Sequence, residues 1–195
     1  MHKNCSVVIL AAGYSSRMGK LKFALTLSDG TTFIQRIVKQ YLLFGCEEIV
    51  VVVNEEGKNY FDKSNLGEQS NFLIALNEHP ERERFFSLKT GLIKLKNTQY
   101  VFIHNVDNPF ADSIVLEKLY GNRAGGNFVK PIFKNKGGHP ILISHKIAKN
   151  IILQNDYSIH LNNFLKSYLC KEIEVGDKNI LININTKDEY LTFDF

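Results

Sequence analysis

The sequence predicts an α/β fold with a largely parallel sheet. Short, continuous apolar runs at residues 5–11, 48–53, 71–76 and 100–105 have the composition of strands buried on both faces. Amphipathic helical patterns lie between them, which is the order of a chain that winds helices over a parallel sheet. A polar segment rich in glycine, serine and basic residues follows the first run at once, at a strand end where open sheets of this kind bind ligands.

Each element has a local cause. Residues 5–11 (CSVVILA) are the first strand. Thr32 and Gln35 form a capping-box pattern ahead of a helix whose stripe is Ile34, Ile37, Val38, Tyr41 and Leu42, and Gly45 stops it. Residues 48–53 (EIVVVV) are the second strand; residues 55–69 are polar and carry no clear period. A third strand at 71–76 precedes a helix over 82–95 with Phe85, Leu88, Leu92 and Leu95 on one face. Residues 100–105 (YVFIHN) are the fourth strand, and Asp112 caps a helix over 113–120. Residues 128–133 and 140–144 are strand-like around a turn at 136–138. Two short helices fill 145–166, residues 173–175 and 180–184 are the last strands, and a short helix follows Thr186.

Composition narrows the class. The 195 residues, 44% hydrophobic and 23% charged, suit one domain over residues 1–195 with a single sizeable core. No apolar run is long enough to span a bilayer, and no signal peptide is read at the start, so the expectation is a cytoplasmic protein away from membranes. Cys5, Cys46 and Cys170 fit no metal or disulfide spacing and read as free thiols. The net charge of +4 is scattered, without the basic runs and interleaved aromatics of a nucleic-acid binder. It suits an anionic small substrate.

The chemistry concentrates in residues 10–22 (LAAGYSSRMGKLK). Gly13 and Gly19 allow close backbone approach to a phosphate. Ser15, Ser16 and backbone N–H groups can donate to its oxygens. Arg17 brings a planar fork of donors, and Lys20 or Lys22 a compact charge. Five residues separate the glycines and Leu21 follows Lys20, so this is no Walker A loop; the dinucleotide G-x-G-x-x-G spacing is absent too. On general grounds it is an anion loop. Its string resembles the signature L-A-[AG]-G-x-S-x-R-M-G-x-x-K of the MobA-like nucleotidyltransferases, matched by Leu10, Ala11, Ala12, Gly13, Ser15, Arg17, Met18, Gly19 and Lys22. The resemblance implies a Rossmann-like three-layer α/β/α fold of the nucleotide-diphospho-sugar transferase type. It also implies that the loop holds a nucleoside triphosphate, with Arg17 and Lys22 neutralising the triphosphate.

Further segments extend the resemblance from Val7 to about Tyr190. Asp107, ahead of Asn108 and Pro109 at the end of the fourth strand, is placed to hold Mg²⁺, and the family's Asp-x-Pro aspartate binds the catalytic metal. The same residues could make an Asx turn. His104, just upstream on the strand, reads as a structural histidine. Gly138-His139-Pro140-Ile141 resembles a segment of the molybdenum cofactor branch that borders the acceptor site, which makes His139 an acceptor-binding candidate beside the plain reading of a turn into an edge strand. Asn183-Ile184-Asn185-Thr186 stands where the cytidylyl branch tends to carry aspartates; its asparagines resemble the guanylyl branch and lean towards GTP, and Asn185 is a second, uncharged metal candidate. Residues 83–91 (ERFFSLKTG) align with a stretch near the family's base pocket through Ser87, Leu88 and Gly91; Phe85 and Phe86 replace small residues there, as stacking, blocking or core groups.

The resemblance thus implies a Mg²⁺-dependent nucleotidyltransferase that moves a nucleotide to a phosphorylated small acceptor such as molybdopterin. CTP is slightly preferred over GTP as donor. A sugar-phosphate or alcohol-phosphate nucleotidyltransferase and a catalytically impaired nucleotide-binding protein are the competing readings. A homodimer or a transient enzyme partner completes the expected associations.

Overall fold

A computed structural model describes residues 3–16, 18–63, 72–96, 99–110 and 112–193. The chain runs β1 (Cys5–Leu10), α1 (Phe33–Phe44), β2 (Ile49–Val53), α2 (Glu55–Asp62), β3 (Phe72–Leu76), α3 (Glu83–Lys94), β4 (Tyr100–Asn105) and α4 (Ser113–Gly121). It continues through β5 (Phe128–Phe133), β6 (Lys136–Gly137), β7 (Ile141–Ser144), α5 (His145–Leu153), α6 (Leu161–Leu165), β8 (Cys170–Glu174) and α7 (Lys187–Thr192). The sheet has the order β3-β2-β1-β4-β7-β5-β6, and β8 pairs with β5. β3, β2, β1 and β4 are mutually parallel; β7 is antiparallel to both β4 and β5. This is the three-layer α/β/α arrangement with a mostly parallel sheet that the sequence predicts.

The alternation of side chains along the strands divides the core in two. Val7, Ile9, Ile49, Val51 and Val53 pack under α1, α2 and α4 through Ile34, Ile37, Tyr41, Phe61 and Leu116. Val8, Leu10, Val50 and Val52 pack under α3, α5 and α6 through Phe85, Leu88, Leu92, Ile147, Ile151 and Leu165. Helix α3 lies very close to the sheet. A Cβ at Gly91 would come within 2.4 Å of Val8 Cγ1 and 2.7 Å of Val52 Cγ2, so only glycine fits there without displacement.

The helix ends follow their sequence signals. Thr32 and Gln35 complete the capping box of α1, and Gly45 ends it at φ 94°. Asp112 accepts from Ile114 N at the start of α4. Several expectations are corrected. The polar stretch after β2 begins with a helix: Asn54 caps α2 by accepting from Gly57 N, and Glu55 and Glu56 complement its N-terminal dipole. The expected turn at 136–138 lies earlier, at Lys134 and Asn135 with φ of 49° and 62°, because residues 136 and 137 are taken up as β6. The last strand at 173–175 is the longer β8. Residues 180–184 form no strand: a 3-10 turn over Lys178–Leu181 leads into an extended segment whose carbonyls are held by a side chain instead of a ladder. The third strand is described from Phe72, and its expected first residue, 71, lies outside the described residues.

The cysteines are free, as expected. Cys5 and Cys46, distant in sequence, lie side by side in the core with their Sγ atoms 3.6 Å apart. Among the described residues, no helix is long and apolar enough to cross a membrane.

One buried histidine couples the core to the end of β4. His104 has no solvent exposure. Its Nε2–H donates to the Asn108 carbonyl at 2.6 Å, which leaves Nδ1 to accept from the Tyr41 hydroxyl at 2.9 Å. Burial pushes its pKa down to about 4, although the Asn108 carbonyl favours the charged ring. The folded state therefore resists a proton that the unfolded chain binds at about 6.5. Stability should fall as pH drops from about 6.5 to about 4, by about 1.4 kcal/mol per unit for this group. His139, also depressed, acts with the same sign. Urea denaturation across this window should show a shallower pH slope for His104→Gln than for the wild type; parallel curves would remove His104 as a source of the dependence.

Candidate active site

The carboxyl ends of β1 and β4 adjoin. Their parallel register sets Leu10 opposite Asn105, and Val106 N donates to the Leu10 carbonyl at 3.1 Å beyond the last strand residue. The glycine- and serine-rich loop therefore leaves β1 beside the chain that leads to Asp107. This is where the strand order reverses direction, since the chain builds β2 and β3 on one side of β1 before placing β4 on the other.

Ser15 adopts φ 51° and Gly19 φ 64°. Met18 N donates to the Ser15 carbonyl, and Lys22 N donates to the Ser15 hydroxyl at 3.2 Å. Met18 is buried in the core and pins the loop from below. Leu10, Ala11 and Ala12 are buried, whereas Gly13, Tyr14, Ser16 and Gly19 are exposed, so the loop presents its polar half outward. Arg17 lies outside the described residues. Lys22 reaches across the site and donates through Nζ to Asn185 Oδ1 at 2.8 Å.

A cavity of about 460 Å³ lies beside the loop, walled by Tyr14, by Asn54 and Glu55 at the end of β2, and by Leu76, Asn77 and Pro80 at the end of β3. Ser87 is below this region. Its hydroxyl accepts from Asn77 Nδ2 at 2.9 Å and donates to the Glu83 carbonyl, while Asn77 Oδ1 accepts from His79 N. Ser87 thus shapes the end of β3. Phe85 is in the core, and Phe86 packs edge-on against Tyr157 and His79. Lys22, Asp107 and His139 are not among the cavity walls.

Asp107 is 5% exposed. Its Oδ2 accepts from Arg84 Nη2 at 3.3 Å, and its Oδ1 is buried without a hydrogen-bond partner. A lone carboxylate oxygen shut away from water costs about 1–3 kcal/mol, and more when charged. An acceptor-only atom in that position fits a hard divalent cation such as Mg²⁺. Among the described residues no group of three His, Cys, Asp or Glu side chains gathers, so such an ion would draw its remaining ligands from phosphate oxygens and water, as Mg²⁺ commonly does.

Asn108 holds this corner together. Its Nδ2 lies 3.0, 3.3 and 2.7 Å from the carbonyls of Asn179, Ile180 and Ile182, and its Oδ1 accepts from Phe110 N. Ile184 N donates to the Asp107 carbonyl at 2.8 Å. The segment 179–185 is so fastened to the end of β4, which carries Asn185 to Lys22. Asn185 Oδ1 therefore faces the lysine ammonium, and its backbone N–H donates to Glu189.

His139 stands across from Asn105. β4 and β7 pair antiparallel with Ile103 opposite Ile141, and two steps further the register reaches Asn105 and His139. Their side chains meet at 3.1 Å, between Asn105 Nδ2 and His139 Nε2. The residue as a whole is half-buried, but its Nδ1 is shut off from solvent and unpartnered. Burial lowers its pKa; the Asp107 carboxylate opposes the shift and Arg84 adds to it. Arg84 is the residue the sequence reading missed. It sits in the first turn of α3, three residues before Ser87, and that spacing on one helix face was its available signal.

An α/β sheet with an anion loop at the end of its first strand and a buried, half-satisfied carboxylate at the adjacent strand end defines a phosphate-transfer class of enzyme. Residues 7–168 match the family described as the MobA-like NTP transferase domain, and the chain belongs to that family of nucleotidyltransferases. It is 27% identical over 188 residues to the molybdenum cofactor cytidylyltransferase of Escherichia coli K12, covering 95% of this chain and 93% of that protein. It is also 27% identical over 199 residues to a probable molybdenum cofactor guanylyltransferase of Clostridium perfringens, with the same coverage of 95% and 93%. Its fold is similar to that of the 4-diphosphocytidyl-2C-methyl-D-erythritol synthase of Anaerococcus prevotii, with a TM-score of 0.76, 14% identity, and 97% and 93% of the two chains covered.

The Asn108 fastening gives a test of how the site is built. Asn108→Ala should lower stability by about 1–3 kcal/mol, since it removes the donor that holds the Ile182 carbonyl. Hydrogen exchange should quicken at the amides of 180 and 182–184 before the rest of the sheet opens. Unchanged protection there would mean that the segment is held by other means.

Proposed function

We propose that the protein transfers a nucleoside monophosphate from a nucleoside triphosphate, with CTP slightly preferred over GTP, to a phosphorylated small acceptor such as molybdopterin, releasing pyrophosphate. The observation that carries this reading is that Lys22 and Asp107, from the loop and from the end of β4, are tied to the same short segment: Lys22 bonds Asn185, and Asp107 bonds Ile184. A cation and a buried carboxylate are thereby held beside a loop whose outer face is polar. The preference for CTP rests on Ala11-Ala12-Gly13 and on Gly138-His139-Pro140, both of which lean towards the cytidylyl branch, as does the E. coli relative.

In this mechanism an ionised phosphate oxygen of the acceptor attacks the α-phosphorus in line. A new oxygen–phosphorus bond forms as the bond to the bridging oxygen breaks, and pyrophosphate leaves. The nucleophile is already ionised, so no side chain need remove a proton. Asp107 would hold Mg²⁺, which supplies charge neutralisation at the phosphoryl oxygens. Lys22 and Arg17 would oppose the negative charge that grows on the bridging and non-bridging oxygens. The exposed backbone of Gly13, Ser16 and Gly19 would orient the triphosphate, and Tyr14 and the β2 and β3 ends would border the base. His139 would face the acceptor. Most of the acceleration then comes from positioning and electrostatics.

Lys22→Ala and Arg17→Ala should each lower pyrophosphate release about 10²- to 10³-fold, the usual cost of removing one donor to developing charge, with far-UV circular dichroism unchanged. Asp107→Asn should abolish Mg²⁺-dependent pyrophosphate release. Wild-type rates in both basic variants would overturn the transferase reading.

A thermal-shift comparison of CTP, GTP, ATP and UTP with Mg²⁺ should show the largest rise with CTP, since a bound ligand raises apparent stability by mass action. A larger rise with GTP would reverse the base assignment. Strong binding without pyrophosphate release for any acceptor would favour a nucleotide-binding protein that has lost catalysis.

A further inference from the structure

Among the described residues, four buried side-chain polar atoms lack a hydrogen-bond partner: Ser6 Oγ, Ser144 Oγ, Asp107 Oδ1 and His139 Nδ1. The two serines lie at the amino end of β4, opposite Val101 and Tyr100. The other two lie at its carboxyl end, where Asp107 follows the strand and His139 is bonded to the strand's last residue, Asn105. Two unsatisfied groups at the same strand end share one explanation more readily than two. A cation is the ligand that answers both, because a carboxylate oxygen and an imidazole nitrogen are each metal ligands.

We propose that Asp107 Oδ1 and His139 Nδ1 form a mixed oxygen–nitrogen divalent-cation site, with His139 a direct metal ligand. The proposal rests on the reading of Asp107 as a metal holder, and it gives His139 the role of metal ligand in place of an acceptor contact.

The surroundings of the ring are those of a ligating histidine. Such a histidine donates its other ring N–H to a neighbouring oxygen, which fixes the tautomer and the ring plane. Asn105 lies 3.1 Å from Nε2. A half-turn of its amide puts the oxygen at that place, where it accepts from Nε2–H and leaves the Nδ1 lone pair for a cation. The histidine backbone is clamped: His139 N donates to the Ile180 carbonyl at 2.9 Å, and a Cβ at the preceding Gly138 would come within 2.5 Å of that same oxygen.

The alternative second ligand is engaged. Asn185 Oδ1 accepts from Lys22 Nζ at 2.8 Å, and the Asn185 Nδ2 donates to the Asn183 carbonyl at 3.2 Å. Arg84 neutralises the other oxygen of Asp107, and its side chain is 65% exposed, so it can turn away when a cation arrives at a cost of one long ion pair. A nitrogen ligand also alters metal choice. Imidazole favours first-row transition metals, so Mn²⁺ and Co²⁺ should bind more tightly than Mg²⁺.

The probe is Mn²⁺ alone, titrated onto the nucleotide-free full chain and followed by electron paramagnetic resonance. Bound Mn²⁺ should show electron-spin-echo modulation from a directly bonded ¹⁴N, and labelling the wild type with ¹⁵N-histidine should convert that coupling, a readout that needs no variant to fold. His139→Ala should lose the coupling and bind Mn²⁺ at least about tenfold more weakly, and Asn105→Leu should weaken binding about 10- to 100-fold as an orienting partner does. Mn²⁺ bound through Asp107 without nitrogen coupling would overturn the proposal. So would a His139→Ala variant with wild-type Mn²⁺ affinity and a raised KM for the acceptor, which would make the ring an acceptor group. Failure of the transferase reading is separately visible, as absence of pyrophosphate release from every triphosphate by a wild type that retains the nitrogen coupling.

Discussion

The register that sets Leu10 against Asn105 decides where the chemistry of this protein lies. Parallel pairing brings the carboxyl ends of β1 and β4 to the same edge, so the anion loop and Asp107 emerge as neighbours although about a hundred residues separate them. A one-residue slip would turn every strand side chain to the other face, and it would exchange the Val7–Ile9 layer with the Val8–Leu10 layer under helices shaped for the opposite set. The two-layered core therefore holds the register, and the register holds the site. The antiparallel pairing of β7 on the other side of β4 applies the same constraint to His139.

Asn108 does for the C-terminal segment what the sheet does for the strands. A 3-10 turn that runs into an extended stretch without a ladder needs partners for its carbonyls, and one side-chain amide reaches three of them. His104, itself satisfied by Tyr41, holds the Asn108 carbonyl from beneath. A chain of buried hydrogen bonds thus runs from helix α1 through β4 to the segment that meets Lys22. Its members are a tyrosine, a histidine and an asparagine whose polarity looks out of place in a core, and each is fully used.

Much of this was legible in the sequence because it depends on local signals. Continuous apolar runs, the Thr32–Gln35 capping box and Gly45 define β1, β2 and α1 without help from tertiary contacts. The loop and Asp107 were legible as strand-end groups. What was missed depends on partners distant in the chain. Helix α2 is short and polar in mean composition, and its marks are the Asn54 cap and a narrow apolar stripe that ends in buried Phe61. Ile180 to Ile184 has strand-like residues, yet Asn108 takes the carbonyls that a neighbouring strand would need. Arg84 carries only its spacing from Ser87 as a local signal, because its partner, Asp107, is 23 residues away. Asn185, expected as a metal candidate, turns its oxygen to Lys22 because the segment that carries it is fastened to Asn108.

At the carboxyl end of the sheet, the contrast among buried polar groups separates architecture from chemistry. Asn54, Asn77, Ser87, His104 and Asn108 are buried and hydrogen-bonded, and each bond fixes a helix start, a strand end or a segment. Asp107 Oδ1 and His139 Nδ1 are buried and unsatisfied within a few residues of that scaffold. A fold that spends an asparagine on three carbonyls has the means to satisfy one more oxygen and one more ring nitrogen from the same strand end. That it leaves these two open, and pins the residues around them, is the pattern of a site kept ready for something that the chain itself does not supply.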